Sequence, residues 1–308
     1  MAPNRSGSRN VWIEFASAPG NIQAGLCAAN NLTKTQFLEM LNVIFTARGG
    51  FHTCRYGSAI PLAATNQVLQ HGRYILSPIT PGEQIHINDE HFYPRTLSLS
   101  STNRETAFRD QVRQRDRRCV ITGDENYEAV DNRWAGFEVA HIFPLALDQI
   151  FVDHGYAHFM THNHPPGVNS PQNGLLLRSD IHKLWDDYSI AVNPNDGYRV
   201  QSFRPNAWKY HNNVLHPTCR QPGHPQRVID ALLRWHFEQA VLCNMRGAGE
   251  ASFEFDFPPG TDMMGEIRQG PQAAQRMEAE LFSRLYGWYD AESPGPEEKS
   301  HSHTPGFQ

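Results

Sequence analysis

Two short apolar segments followed by a short amphipathic helix constrain this chain more than any other feature of its sequence. Residues 137–142 (FEVAHI) alternate in the manner of a half-buried strand, and the apolar run LLL at 175–177 predicts a second strand. Residues 180–188 predict a helix, with Ser179 as its N-cap and Leu184 on its buried side. This order predicts a β-β-α unit, with an irregular loop rich in His, Pro, Gly and Asn between the strands.

Four polar residues in this unit have the chemistry that phosphodiester hydrolysis needs. His141 ends the first strand, and a neutral imidazole can accept a proton from water near pH 7. Asn173 precedes the second strand and can fix the loop through hydrogen bonds to the backbone, which would position a histidine on the opposite strand. His182 and Asp186 are four residues apart on the helix, so both can face one metal ion. A divalent cation can hold a phosphate oxygen and stabilise the leaving oxygen.

The segments that contain these residues, EVAHIFPLA, SPQNGLLL and RSDIHKLWDD, resemble the HNH endonucleases, also called ββα-metal nucleases. The similarity is greatest to fungal proteins with an HNH domain of the type AHI…NGLLL…DIH. It covers roughly residues 108–203 and continues more loosely through LLRWHFEQAVLCNMRGAGE and FEFDFPPGTDMMGEI. The nine positions from Asn173 to His182 also fit the family pattern.

The resemblance implies an endonuclease and a role for three residues. His141 corresponds to the general base of the family, Asn173 to its middle asparagine and His182 to its metal-binding histidine. It further implies one divalent cation (Mg, Mn, Ni or Zn) as the cofactor and nucleic acid, DNA in particular, as the partner. The products implied have 5′-phosphate and 3′-hydroxyl ends.

One position departs from the family pattern. Many HNH enzymes have a metal-binding acid directly before the general base, where this chain has Ala140. Either Asp186 and water complete the metal shell, or Glu138 reaches the metal, or metal binding is weak. An aspartate at position 140 is expected to add a ligand if the strand bends there. The remaining candidate ligands lie in the loop: Asp153, His154, His162 and His164.

Two groups of basic residues are candidates for phosphate contact. Arg178 and Lys183 are close in sequence to the predicted site, and we expect them to bind substrate, with ordinary surface charge as the alternative. A basic stripe repeats every four residues in the helix predicted before the first strand: Arg109, Arg113 and Arg117. Such a stripe either faces only solvent or contacts phosphate.

Charge, cysteine content and hydropathy limit the remaining possibilities. The net charge of −5 and the pI of about 6.3 argue against DNA binding through bulk positive charge, so basic residues must be gathered locally. Five cysteines without a C-x-x-C pair support neither a disulfide framework nor a zinc knuckle. No apolar run approaches the roughly 20 residues needed to cross a membrane, and residues 1–10 lack the apolar core of a signal peptide. We therefore expect an intracellular protein, nuclear or cytoplasmic, that is not secreted.

The rest of the chain predicts an α+β protein with the ββα-metal core at its centre. Alternating segments and a helix capped by Thr33 and Gln36 indicate a small N-terminal α+β module. A long apolar helix over 226–245 predicts either a core element or a homodimer interface. The predicted parts are a disordered N-terminus (1–10), the module (11–100), the HNH nuclease domain (105–205), a C-terminal helical extension (206–290) and a disordered tail (291–308).

Three hypotheses about function follow. The first is a metal-dependent endonuclease in which His141 activates water and His182 holds the metal ion. The second is a binding or regulatory protein that keeps the HNH fold without efficient catalysis, which Ala140 and the negative net charge favour. The third is an enzyme that uses the same metal pocket on a substrate other than nucleic acid.

Overall fold

The computed structural model describes residues 5–93, 95, 103–162, 167–250, 265 and 268, without the side chains of residues 103–105. Several sequence predictions fall outside these residues: the candidate ligand His164, most of the segment FEFDFPPGTDMMGEI, the end of the expected C-terminal extension and the tail at 291–308. Every helix in the described part of the chain is too short or too polar to cross a membrane.

A four-stranded sheet and one helix form the N-terminal part of the α+β fold. The elements are β1 (Val11–Phe15), β2 (Ile22–Leu26), α1 (Lys34–Ile44), β3 (Phe45–Thr46), β4 (Phe51–Arg55), β5 (Gly72–Pro78) and β6 (His86–Ile87). The strand order is β2-β1-β5-β4, in which β1 is antiparallel to β2 and parallel to β5, while β3 pairs with β6 alone. Thr33 and Gln36 form the predicted capping box, so the start of α1 is set by its own sequence.

Residues 5–10 pack against the molecule, although disorder was predicted for residues 1–10. Arg5 is 6% exposed and donates a hydrogen bond of 3.0 Å to the side chain of Asn244. Arg9 donates at 2.8 Å to the backbone carbonyl of the same residue, near the end of the last described helix. Carbonyls in the final turn of a helix have no donors within the helix, and basic side chains complement them. The polar sequence of residues 1–10 predicted disorder because it gives no sign of these acceptors, which lie 235 residues or more away along the chain.

The predicted β-β-α unit is present at the centre of the fold. The elements of this region are α2 (Asn103–Asp116), β7 (Phe137–His141), α3 (Asp148–Asp153), β8 (Gly174–Arg178), α4 (Ser179–Asp186), β9 (Ile190–Asn193) and β10 (Arg199–Ser202). β7 and β8 are antiparallel, with His141 opposite Gly174, and β9 and β10 form a hairpin. α2 packs against one face of the β7–β8 pair through Leu176, and α4 packs against the other through Leu175 and Leu177.

The register of α4 differs by one residue from the prediction. Its N-cap is Arg178, whose side chain makes no capping bond, and Ser179 is already the first helical residue. Ile181 and Trp185 form the fully buried face, whereas Leu184 is only partly buried. The large indole therefore lies at the centre of the buried face, and Leu184 packs at the edge of the same cluster.

One long helix, α5 (Asp230–Met245), joins the two large hydrophobic clusters of the fold. Its first half, including Leu232 and Trp235, packs around the β-β-α unit, and its second half, including Phe237 and Val241, packs with the N-terminal sheet. Each of these four side chains is at most 6% exposed. The predicted C-terminal helix is therefore a core helix, and its apolar faces are covered by the chain itself rather than open for a homodimer.

A buried ion pair fixes α2 to the segments around β8. Arg115 donates to both carboxylate oxygens of Asp116, at 2.6 and 2.8 Å, and each side chain is at most 1% exposed. The same guanidinium donates to three backbone carbonyls, those of Pro171, Gly174 and Gln226. These bonds use all five of its N–H donors. Asp116 in turn accepts at 3.0 Å from the backbone N–H of Leu176 in β8.

We expect the substitution Arg115→Met to lower the free energy of unfolding by about 3–5 kcal/mol, because Asp116 would remain buried without its charge partner. Urea unfolding of both proteins measures this difference. The matched control is Arg109→Met, which removes an exposed arginine from the same helix and should change stability by about 1 kcal/mol or less. Equal effects of the two substitutions would show that the buried pair does not hold α2 in place.

Candidate active site

His141 lies at the end of β7, partly buried between two side chains. Its ring stacks on Phe108 of α2, with ring centroids 4.2 Å apart and an angle of 18° between the planes. Its Nε2 atom lies 3.0 Å from Oδ1 of Asn169 in the loop between the strands. A Cβ at Gly174, directly opposite in the ladder, would come within 2.7 Å of the Phe108 ring. The absence of a side chain at Gly174 therefore allows α2 to bring Phe108 onto the histidine.

The protonation state of His141 follows from this position. Burial lowers the pKa of His141 to about 4, and the hydrogen bond to Asn169 opposes this only in part. The imidazole is therefore neutral near pH 7. With the amide oxygen of Asn169 as its partner, Nε2 donates the hydrogen bond and Nδ1 keeps the lone pair. A neutral imidazole with one nitrogen free is the form that can accept a proton.

Asn173 fixes the loop between the strands, as the sequence suggested. The side chain is fully buried, and its Oδ1 accepts at 2.7 Å from the backbone N–H of Phe143. Its Nδ2 donates to the carbonyls of Phe143 and Val168, at 2.9 and 2.8 Å. Val168 immediately precedes Asn169, the residue that contacts the ring of His141. Asn173 thus acts on the histidine through the loop and does not touch it.

The imidazole of His182 lies between two carboxylates. Its Nδ1 is 2.7 Å from Glu138 on β7, and its Nε2 is 3.1 Å from Oδ2 of Asp186, one turn later on α4. Burial alone would lower the pKa of His182, but the hydrogen bonds to Asp186 and Glu138 outweigh it and raise the pKa to about 9. Without a metal ion, His182 is therefore an imidazolium near pH 7, in contrast to His141.

Arg95 connects the two histidines. Its side chain is 5% exposed, and its Nε donates at 3.0 Å to Oδ1 of Asp186. Its two terminal nitrogens donate to the backbone carbonyls of His141 and Ile142, at 2.6 and 2.7 Å. Burial alone would raise the pKa of Asp186, but the charges of Arg95 and His182 lower it to about 2. One guanidinium thus holds the end of β7 and the carboxylate of α4 in a fixed relation.

The arrangement at His182 fits a divalent cation with two protein ligands. Bonds from nitrogen or oxygen to such a cation are about 2.0–2.2 Å long, so atoms 3.1 Å apart, such as Nε2 of His182 and Oδ2 of Asp186, can share one. Glu138, the other candidate ligand from the sequence, contacts the second ring nitrogen, which is the contact of a residue that orients a ligating imidazole. The proton on Nε2 has to leave before a metal can bind. Within the described ranges, no three His, Cys, Asp or Glu side chains are arranged to hold a metal together.

The two basic residues expected to bind substrate lie in different places. Arg178 pairs with Phe137 at the far end of the ladder from His141, roughly 13 Å along the strand. Its guanidinium is already bound to Asp124 and Asp180, both at 3.0 Å. Arg178 is also the N-cap of α4, one turn before His182, and substrate contact by this residue stays a prediction. Lys183 is exposed on α4, next to His182 in sequence, and remains a candidate for phosphate contact.

Ala140 and the described loop residues do not supply the missing ligand. Ala140 is fully buried in the hydrophobic cluster on the face of β7 opposite to His141, because neighbouring residues of a strand point to opposite sides. An aspartate there would enter the core, and β7 pairs with β8 without a register shift at this position, so the bend on which the expected gain in metal affinity depends is not seen. The effect of Ala140→Asp on metal affinity stays a prediction. The loop candidates make local contacts: Asp153 accepts from Gln149, His154 bonds to the carbonyl of Ile150, and the backbone N–H of His162 donates to Gln172.

Three residues of the site were not singled out from the sequence. Phe108 follows helical spacing with Val112, a pattern that predicts core packing and nothing more, and Arg95 and Asn169 lie in irregular segments without a periodic pattern. Asn169 had one usable signal, since it stands four residues before Asn173 in a loop rich in turn residues. Arg95 had none, because its partners are 46 to 91 residues away along the chain.

We expect Asn173→Ala to lower the melting temperature, since each buried group left unpaired costs about 1–3 kcal/mol. Any activity that depends on His141 should fall together with the melting temperature, because the loop that holds Asn169 would lose its hydrogen bonds to Asn173. Thermal unfolding measures the first effect, and Asn42→Ala, at an exposed position of α1, is the control. Loss of activity at unchanged stability would instead give Asn173 a direct part in the chemistry.

Comparison with known families agrees with this geometry. Residues 119–193 match the family model HNH_2, described as HNH endonuclease. Residues 8–82, which include all four strands of the N-terminal sheet, match a domain of unknown function (DUF8573). Searches of curated proteins and of solved structures gave no match. Residues 119–193, which contain His141, Asn173 and His182, are therefore a domain of the HNH endonuclease family.

Proposed function

We propose that this protein is a metal-dependent endonuclease that hydrolyses phosphodiester bonds of nucleic acid, with DNA as the expected substrate. One observation carries the proposal: a neutral histidine and a histidine–carboxylate pair are held together through Arg95. His141 has the protonation state of a base, and His182 with Asp186 has the geometry of a metal site. General-base hydrolysis assisted by a metal ion needs both.

His141 is assigned to proton transfer. Its free nitrogen would take a proton from the water molecule that attacks phosphorus, and Asn169 would keep the ring in position throughout. Stacking on Phe108 restricts rotation of the ring. Asn173 is a positioning residue that acts through the loop, and the products expected from the family resemblance are 5′-phosphate and 3′-hydroxyl ends.

His182 and Asp186 are assigned to the metal ion, which can be Mg, Mn, Ni or Zn. Such a cation supplies a Lewis acid for the phosphate and for the charge on the leaving oxygen. Glu138 keeps Nδ1 of His182 engaged, so that Nε2 is the nitrogen directed at the metal. Arg95 binds Oδ1 of Asp186, so that Oδ2, which lies 3.1 Å from Nε2 of His182, would be the oxygen that binds the metal. Lys183 would contact a phosphate oxygen.

A second candidate function is a binding or regulatory protein with little catalysis. The observation in its favour is the small number of ligands, since Ala140 faces the core and His182 is already paired with two carboxylates. Such a protein would bind nucleic acid without cutting it. Hydrolysis of a small phosphodiester without cleavage of nucleic acid would point to a different substrate class.

We expect His141→Ala to reduce plasmid cleavage by about 10²–10⁴-fold, the usual contribution of a general base. The assay is run separately with Mg²⁺, Mn²⁺, Ni²⁺ and Zn²⁺. Metal binding and the melting temperature should stay close to those of the unmodified protein, because His141 contributes no metal ligand. His52→Ala, at an exposed histidine of β4, is the control and should cleave normally. Unchanged cleavage by the His141 variant would remove this residue from the mechanism.

Metal affinity should be weak and should depend on two carboxylates in different ways. Asp186→Asn removes a ligand and should abolish measurable binding in calorimetric titration. Glu138→Gln removes the partner of the ligating histidine and should weaken binding about 10–100-fold. Asp180→Asn, at an exposed carboxylate of the same helix, should change nothing. Tight stoichiometric binding that neither Asp186→Asn nor Glu138→Gln affects would place the metal elsewhere in the chain.

A further inference from the structure

A second polar site lies along α2, beyond the part of the helix that contacts His141. A cavity of about 280 Å³ opens between the second half of α2 and the segment before β7. The side chains used below line it: Asp110, Arg113, Arg117, Asn132 and Trp134. None of them contributes to the chemistry assigned to His141 and His182.

Arg113 is the central residue of this cavity. Its guanidinium carbon lies 4.9 Å from the centre of the Trp134 ring, in a cation–π contact. Its Nε atom is buried and has no hydrogen-bond acceptor, and no carboxylate forms an ion pair with it among the described residues. A buried donor of this kind is costly unless a ligand completes it. The side chain is therefore arranged to accept an anion.

Trp134 provides a fixed support for this arginine. Its indole Nε1 donates at 2.8 Å to Oδ1 of Asn132, which sets the orientation of the ring. The other side of the ring packs with the cluster of Phe108, Val112 and Leu176 under α2. The platform is thus present before any ligand arrives, which reduces the entropy lost on binding.

The charges around the cavity favour an anion. Arg113 and Arg117 line it, and Arg117 has no ion pair in the part of the chain that the structure describes. The one lining carboxylate, Asp110, is bound at 3.1 Å by Arg109 of the same stripe. The cavity is thus locally positive, although the whole chain has a net charge of −5. A guanidinium fork matches the oxygens of a phosphate.

The cavity lies in line with the candidate active site. Phe108 of α2 stacks on His141 at the end of β7, while Trp134 precedes the start of β7, so α2 runs antiparallel to this strand. Arg113 is five residues beyond Phe108, roughly 7.5 Å along the helix axis, and Arg117 directly follows Asp116, the last residue of α2, which lies roughly 12 Å beyond Phe108. Along the axis of duplex DNA, one strand advances by about 3.4 Å for each nucleotide. These separations correspond to about two to four nucleotides.

We propose that the cavity formed by Arg113, Arg117 and Trp134 binds a backbone phosphate of nucleic acid, about two to four nucleotides from the phosphodiester bond at His141. The proposal rests on the function proposed above. It adds a phosphate contact outside the site formed by His141 and His182. The two arginines bind the phosphate oxygens, and Trp134 holds the Arg113 guanidinium in place. The basic stripe of α2 is on this basis a substrate surface rather than a solvated face.

Binding is tested on the full chain carrying His141→Ala, so that cleavage does not interfere. Fluorescence anisotropy follows a labelled oligonucleotide of about 16 nucleotides, single-stranded or as a duplex, between about 50 and 200 mM salt. Adding Arg113→Gln should weaken binding by about 5–30-fold at low salt. The slope of log K against log salt should fall by about 0.7 for the single strand and about 0.9 for the duplex, the value for one phosphate contact.

Two further variants test whether a loss of binding comes from the cavity rather than from unfolding or from the loss of any arginine. Arg117→Gln changes an exposed side chain and should weaken binding in the same direction without unfolding the protein. Arg48→Gln removes an exposed arginine near the N-terminal sheet and should leave affinity and slope unchanged. Affinity and slope that neither Arg113→Gln nor Arg117→Gln alters would overturn the proposal, and so would an equal loss with Arg48→Gln.

The result also separates this proposal from the proposed function. Weaker binding by the Arg113 variant supports the phosphate site even if the unmodified protein cuts no nucleic acid. Cleavage by the unmodified protein, together with unchanged binding by both arginine variants, refutes the phosphate site alone. An effect on one nucleic-acid form only identifies the form that reaches the cavity.

Discussion

The buried pair of Arg115 and Asp116 is the interaction on which the geometry of the candidate site depends. Two opposite charges in a protein interior are costly unless their donors and acceptors are matched, and here five guanidinium donors find five acceptors. Two of the three carbonyls that they bind, those of Pro171 and Gly174, lie on either side of Asn173, so the pair sets the backbone that carries this residue. Asn173 in turn holds the loop between the strands, this loop carries Asn169, and Asn169 contacts the ring of His141.

The same fold gives its two site histidines opposite properties. His141 is surrounded by an aromatic ring and an amide, which offer an imidazolium little compensation for the loss of water. His182 has a carboxylate at each ring nitrogen, which favours the charged form. Separating two chemically identical groups by their surroundings is a general way to assign one to proton transfer and the other to charge. The guanidinium of Arg95 keeps the two environments distinct by holding Asp186 on the side of His182.

The sequence predicted those parts of the site that belong to regular elements. The β-β-α unit and the role of Asn173 followed from periodicity and from the chemistry of an amide next to a loop. Arg95 and Asn169 could not be found in this way, since an irregular segment carries no sign of which distant backbone it will meet. Ala140 was a different case. Alternation along a strand indicated that residues 140 and 141 face opposite sides unless the strand bends, and the regular pairing of β7 with β8 through both residues decided between the two cases.

The packing of α5 limits how this domain can be transferred to another protein by gene fusion or recombination. Its residue Trp235 contacts Phe143 of the HNH segment at a ring-centroid distance of 4.2 Å, and His236 stacks on Trp185 at 3.6 Å. Its second half is embedded in the other cluster. The segment that matches the family model therefore lacks part of its own interior, which is supplied from outside the match. A gene fusion that moved residues 119–193 alone would transfer the reactive side chains without the packing that orders them. Recombination can reuse this module only together with its helical support.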